Sequence, residues 1–240
     1  KACDKAIQLK PDYVSAWNNK GVALDKMGRY EEALKACDKA IQLEPDYVYT
    51  WNNKGIVLDK MGRHEEAEKA FHRSMEITPE DPYPFFKSTQ LLFKLNRRDE
   101  GILALDDALS RFSASEKQVA DCTGEIVRDL FNGPSDPDLT RTLIEHYHTH
   151  SALDALGQGL VRAIAILNAQ SLDKAQTWRD TWQELGGKHK ALLLPLRLLD
   201  AAVRHRETKD PRILLQLPIE ERKVLEEILE QTESPEEESN

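Results

Sequence analysis

The chain repeats itself. Residues 16–49 align without a gap on residues 50–83, and 18 of the 34 aligned positions carry the same residue. Residues 1–15 align on 35–49 at the same spacing, with 13 of 15 positions identical. A fixed period of this length marks a chain of stacked supersecondary units, none of which buries its apolar face alone. The chain opens inside one unit, so it is expected to be a piece of a longer protein.

Within the unit, Trp17, Gly21 and Leu24 fall at i, i+4 and i+7, the spacing of one helical face. Ala33, Cys37 and Ala40 repeat that spacing on a second segment, with small residues suited to close packing. Gly28 and Gly62 follow Met27 and Met61, where a helix ending in the left-handed conformation favours glycine. Pro11, Pro45 and Pro79 stop the second segment. Gly21 and Gly55 mark a place where the paired helix comes too close for a side chain. Each unit thus predicts two helices joined by a tight corner, with Trp17 and Trp51 as large buried anchors.

These residues closely resemble the tetratricopeptide repeat, whose signature places Trp, Gly, Tyr or Leu, Ala, Phe, Ala and Pro at fixed points in 34 residues. Trp17, Gly21, Leu24, Ala33, Ala40 and Pro45 match, with Cys37 in the aromatic slot. Trp51, Gly55, Leu58, Ala67, Phe71 and Pro79 match in the next unit, where Ser74 replaces the second small Ala. Lys20 and Lys54 depart from the family's usual leucine. A degenerate unit at 84–117 keeps Phe85 in the Trp place, Thr89 in the Gly place, Asn96 at the corner, and Ala104 and Ala108 at neighbouring small positions. The resemblance covers residues 1–83 and, more weakly, 84–112. It implies an all-α, right-handed helical solenoid.

From Ser115 the pattern stays helical but loses the period. Helices are predicted at 115–131, 138–149, 152–169, 171–185, 190–207 and 218–231. The chain therefore divides into a repeat array at 1–114, a non-repeat helical extension at 115–231 that caps the array, and an acidic tail at 232–240 whose composition predicts disorder. Asp138 is expected to cap the helix after the Asn132–Pro137 break, Gly186-Gly187 to end the helix of Trp178 and Trp182, and Pro195 to kink the helix that holds it. Ile213-Leu214-Leu215 is too short and isolated to count as a strand.

Charge narrows the partners. The net charge is −9, and the segment from Glu220 to Asn240, with nine Glu against Arg222 and Lys223, holds −7 of it. The remaining near-neutral body argues against nucleic acid, which needs clustered Lys and Arg. The seven Lys and Arg between Lys188 and Arg212 read as a solvated face. No run approaches the roughly 18 apolar residues of a membrane helix. Three cysteines, read as buried packing residues, suit a reducing compartment, hence a cytoplasmic location.

No reactive constellation emerges, so the chain is expected not to be an enzyme and to need no cofactor or metal. His146 and His150 share a helical face as a zinc pair would, but no third ligand is identifiable and the metalloprotease Glu placement is missing. Gly157-Gln158-Gly159 lacks strand context for phosphate binding. Cys122 has no neighbouring His in sequence. Trp178 and Trp182 read as core rather than as a ligand platform.

The resemblance instead implies a site on the first helices, which line a concave groove in the family. The matching positions are Ser15, Asn18, Val22 and Asp25; Tyr49, Asn52, Ile56 and Asp59; and Tyr83, Phe86 and Gln90. Asn18 and Asn52 are expected to hydrogen-bond a peptide backbone, and Tyr49, Tyr83 and Phe86 to supply apolar contact. A variant that clamps chaperone C-termini is disfavoured, because Val22 and Tyr83 stand where it needs Asn and Lys. The expected function is a protein-interaction scaffold binding a protein or peptide. The alternative is a sensor or assembly arm of a larger bacterial or archaeal signalling ATPase or effector, with its catalytic domain upstream of Lys1.

Overall fold

The computed structural model describes residues 2–112, 117–132, 136–169 and 171–233. Among them the regular structure is helical throughout, with no strand. The chain forms two compact units, Lys1–Leu105 and Asp106–Asn240. The expected division at 114/115 falls outside the described residues.

The first unit is a run of helix pairs. Helix α1 (Ala2–Leu9) precedes the pair α2 (Val14–Lys26) and α3 (Tyr30–Leu43), then α4 (Val48–Lys60) and α5 (His64–Ile77). Helix α6 (Pro82–Lys94) pairs with α7 (Arg98–Arg111), which continues past the unit boundary. The third, degenerate unit is thus a helix pair like the others.

One corner recurs in all three pairs. Gly28, Gly62 and Asn96 have φ of +70°, +74° and +58°. The following amides of Arg29, Arg63 and Arg97 donate back to the carbonyls of Leu24, Leu58 and Leu92 at 3.0, 2.9 and 3.0 Å. These are the six-to-one bonds that satisfy carbonyls left over at a helix end. The same arginines then grip Glu32, Glu66 and Glu100 in the first turn of the second helix. Asn tolerates the left-handed region better than most residues, so the third corner survives the loss of its glycine.

Within a pair the helices touch through a missing side chain. A Cβ on Gly55 would lie 2.5 Å from Phe71 Cε1, and one on Gly21 would lie 2.9 Å from Cys37 Sγ. Ala33, Cys37, Ala40, Ala67, Ala70 and Phe71 are buried behind this contact.

The tryptophans differ from expectation. Trp17 and Trp51 are half-buried and pack at the edge of the core. Their indole N–H groups donate to the carbonyls of Pro11 and Pro45 at 2.8 and 2.7 Å, tying the loop to the helix. The Lys20 and Lys54 ammonium groups lie over the rings, 5.6 and 5.5 Å from the centroids, and pair with Asp4 and Asp38 at 2.7 Å. A leucine at this place would cover the ring without bridging it to the carboxylate, which gives the two departures from the family pattern a physical role.

In the second unit α8 (Lys117–Asn132), α9 (Pro137–Thr149), α10 (Leu153–Ala169), α11 (Leu172–Gly186), α12 (Leu193–Thr208), α13 (Arg212–Leu215) and α14 (Ile219–Glu233) follow in order. Helix α10 packs against α8, α9, α12 and α14, and α11 lies on α9 and α12. Leu156, Leu160, Trp178, Trp182 and Tyr147 are fully buried. A Cβ on Gly159 would sit 3.1 Å from Gly124 Cα, so α8 and α10 cross in backbone contact.

Two local expectations change and a third, that Ile213–Leu215 is no strand, holds. Asp136, not Asp138, caps α9: its carboxylate accepts from the Leu139 amide at 3.0 Å, and Pro137 follows at the first helical position. Pro195 does not kink a helix; a 3-10 turn at Lys190–Leu192 comes first, and Pro195 sits in the first turn of α12, where its missing N–H costs nothing. Ile213-Leu214-Leu215 lies in the short helix α13. Helix α14 runs to Glu233, and the expected disorder of the remaining tail lies outside the described residues.

The half-burial of the tryptophans sets an order of costs. Trp17→Ala or Trp51→Ala should lose about 2 kcal/mol, whereas Phe71→Ala should lose about 3–5 kcal/mol as a fully buried ring. Urea unfolding followed by far-ultraviolet circular dichroism checks this; a tryptophan loss equal to that of Phe71 would contradict it.

Candidate functional site

The first-helix positions separate by what they touch. Asn18, Asn52 and Phe86 occupy the same place in successive units and are 7%, 5% and 1% exposed. This burial leaves little of the three side chains open to a peptide, and Asn18 faces the next repeat. Asn18 Oδ1 accepts from Thr50 Oγ1 at 3.2 Å and from Asn53 Nδ2 at 2.9 Å, joining α2 to α4.

The same bond pattern is lost one repeat later. Thirty-four residues on, the donors Thr50 and Asn53 become Pro84 and Lys87. Proline has no hydroxyl, and the Lys87 ammonium donates to Gln90 Oε1 at 3.1 Å. Asn52 Oδ1 is left buried without a hydrogen-bond partner. Phe86 then replaces the asparagine altogether.

Asp25 and Asp59 are half-buried and paired across the repeat. Lys60 Nζ reaches both oxygens of Asp25 at 2.9 and 2.7 Å. Asp59 Oδ1 receives Lys94 Nζ at 2.8 Å and faces His64 Nδ1 at 3.1 Å. These lysines were missed in the sequence, although their regular offset of 35 residues was available there.

The remaining positions stay accessible. Val22, Ile56 and Gln90 are half-buried, and Ile56 leans on the core of the second pair. Tyr49 is 61% exposed, the largest side chain on this face so presented. It meets Tyr47 edge to face, with centroids 5.5 Å apart. Tyr47 in turn shares a hydrogen bond of 3.3 Å between its hydroxyl and Ser15 Oγ, which ties α4's N-cap to α2. Tyr83, in Tyr49's place one unit on, is half-buried, with Lys87 Nζ 5.4 Å from its ring centroid. The N-cap tyrosines 13 and 47 were not singled out from sequence; their common repeat position was the signal.

Elsewhere the chemical candidates take structural roles. His146 Nδ1 and His150 Nε2 both reach Asp106 Oδ1, at 3.0 and 2.8 Å. Among the described residues no group of three or more His, Cys, Asp or Glu is arranged to hold a metal ion. The glycines of Gly157-Gln158-Gly159 lie inside α10. All three cysteines are free thiols, and burial pushes Cys37 up to about 12, far from a reactive thiolate. Trp178 and Trp182 belong to the core.

Residues 14–47 and 36–69 match two family models, both described as the tetratricopeptide repeat. Residues 14–69 thus carry tetratricopeptide repeats, which are protein-interaction scaffolds. No curated protein matches the chain. Solved structures resemble it, among them the following two. One is YrrB, described as a TPR protein with an unusual peptide-binding site: 17% identity, 90% of this chain and 97% of that one covered, TM-score 0.49. The other is pilF of Pseudomonas aeruginosa: 14% identity, 96% and 92% covered, TM-score 0.50. Among the described residues no helix is long and apolar enough to cross a membrane.

Two tests follow from the geometry. Asn18→Ala strands the buried Thr50 hydroxyl and the Asn53 amide and should cost about 2 kcal/mol, while Asn52→Leu should be neutral or stabilising, since it removes an orphaned acceptor; thermal melts of the two variants should move apart. The second test uses pH. Hydrogen bonds from His150 and then His146 hold Asp106 below its ordinary value of 3.8. A carboxylate depressed in the folded state stabilises fully above that value and loses its contribution as pH falls through the lower folded value. Asp106→Asn should therefore melt below the wild type above about pH 5, with the difference vanishing in stronger acid.

Proposed function

We propose that the face built by the first helices α2, α4 and α6 holds a segment of another protein, with Ser15, Val22, Tyr49, Ile56, Tyr83 and Gln90 as its contact positions. Asn18, Asn52 and Phe86 support it from behind, and Asp25 and Asp59 keep its helices in register. The observation that carries this reading is Tyr49. A large aromatic side chain left 61% exposed, yet braced by Tyr47, has the character of an interface anchor. Its bracing also reduces the ordering cost that a partner's arrival would otherwise incur.

The stacking surfaces of the array are already occupied. Each paired carboxylate and the buried carboxamide of Asn18 link one repeat to the next. What remains outward at the proposed contact positions is apolar or uncharged, which suits a protein segment.

A photo-crosslinking amino acid placed at position 49 or 83 should capture a partner from the native host, and the same group at the exposed position 65 on α5 should not. Tyr49→Ala should weaken binding of the captured partner by about 2 kcal/mol, close to thirtyfold. Equal capture from positions 49 and 65 would move the site off this face.

A further inference from the structure

We infer that the second unit carries a surface for a second copy of this chain, formed by the start of α12, by α13 and by the start of α14. The pattern of burial is the first ground. Leu225 and Leu229 are buried where α14 packs on α10 and α12, and that inward face is all an amphipathic helix needs. Ile219 and Val224 lie outside it and stay exposed. Helix α12 repeats the pattern, with Leu196 and Leu199 buried and Leu193 and Leu194 exposed. With Leu215 of α13, these five aliphatic side chains are between 41% and 64% exposed. They make up half of the large exposed hydrophobic residues among the described residues, and all five fall between 193 and 224. Such a concentration differs from the scattered single exposures of an ordinary surface.

Side-chain bonds draw the three stretches together. The Arg197 guanidinium donates to Glu221 Oε1 at 2.6 Å, joining α12 to α14. Leu193 and Leu194 stand one turn before Arg197, and Ile219 and Val224 lie within a turn on either side of Glu221. The Arg222 guanidinium donates to the carbonyls of Leu214, Leu215 and Leu217 at 3.2, 3.3 and 3.3 Å, which holds α13 to the first turn of α14. The apolar residues are thus fixed before a partner arrives, and little ordering cost attends its docking.

Charge selects the occupant. From 188 to 208 the chain has five Lys and Arg against Asp200 and Glu207, whereas α14 has six Glu against Arg222 and Lys223. Lys188, Lys190 and Arg197 are exposed and flank the leucines of α12 in sequence, and Glu220, Glu226 and Glu227 are exposed along α14. The patch therefore has a basic border and an acidic one. A partner of a single charge sign is repelled at one of them. A second copy, related by a two-fold axis through the patch, sets each basic border against the other copy's acidic border. Aliphatic residues then meet at the centre with charges at the rim, the usual anatomy of a subunit contact.

Sedimentation equilibrium of the whole chain tests this. The chain should form a reversible dimer of twice its 27.4 kDa mass. Leu215→Ser/Ile219→Ser should weaken the dimer about thirtyfold or more with unchanged circular dichroism, since both side chains are exposed in the single chain. Reversing one border (Lys188→Glu/Lys190→Glu) or the other (Glu226→Lys/Glu227→Lys) should weaken it about tenfold. An equal mixture of the two reversed chains should associate more tightly than either alone, because like borders in each homodimer become opposite ones in the mixed pair. A chain monomeric at every concentration overturns the proposal, and so does a dimer indifferent to Leu215 and Ile219. No recovery in the mixture overturns the two-fold pairing. Cosedimentation of a monomeric chain with neutral phospholipid vesicles, lost in Leu215→Ser/Ile219→Ser, assigns the patch to a membrane surface instead.

Discussion

The array depends on how closely the two helices of a pair approach. At Gly55 the ring of Phe71 occupies the space where a Cβ would be, and at Gly21 the sulfur of Cys37 does the same. That contact brings the backbones together and fixes which faces remain outward. The identical corner at Gly28 and Gly62 then sets the angle of entry into the second helix. With both fixed, successive units meet in the same register, and the lysine–carboxylate link between first helices recurs at an offset of 35 residues.

The third unit separates what the fold needs from what it tolerates losing. Its corner persists with Asn96 in the left-handed conformation and Arg97 gripping Glu100, and the Lys94–Asp59 pair persists across the repeat. The carboxamide link does not persist. Pro84 and Lys87 remove its donors, and the apolar Phe86 takes the asparagine's place under cover of Pro84 and Phe85, which are also buried. Arg97 adds a bond to Glu68 that has no counterpart one repeat earlier, where Leu34 stands. The polar link is gone, and a new ion pair joins the second and third units.

Much of this was legible in the sequence, and the failures have physical causes. The 34-residue period fixed helix count, corners and close contacts in the first unit, because these are properties of position within a repeat. Period and resemblance both treated Asn18 and Asn52 as one kind of residue, yet the Oδ1 of one accepts two hydrogen bonds and that of the other is buried without a partner. The difference lies in the donors of the following repeat, which is where a residue-by-residue comparison of 50 with 84 and of 53 with 87 had to be made. Burial of Trp17 and Trp51 was overstated because size was taken as a sign of depth, whereas their indole N–H groups need a carbonyl at the core's edge. The His146/His150 pair was recognised, but its partner Asp106 lies forty residues earlier on another helix, a distance no local pattern spans.

The division of labour on the first helices follows from the same geometry. The side chain of Asn18 points at the next repeat, so its chemistry is constrained by stacking. A side chain at the place of Tyr49 is less constrained: it is Ser15 in one unit, where it meets the Tyr47 hydroxyl, and Tyr83 in another. Positions that vary freely between otherwise similar units are the ones on which recognition can be written. The two units differ at 16 of 34 aligned places. In the alignment of 1–15 on 35–49 the change from Ser15 to Tyr49 adds an aromatic ring on the first-helix face. An array with invariant corners and variable outward residues can read a partner one repeat at a time, and under the proposed function the tyrosines mark where this one would do so.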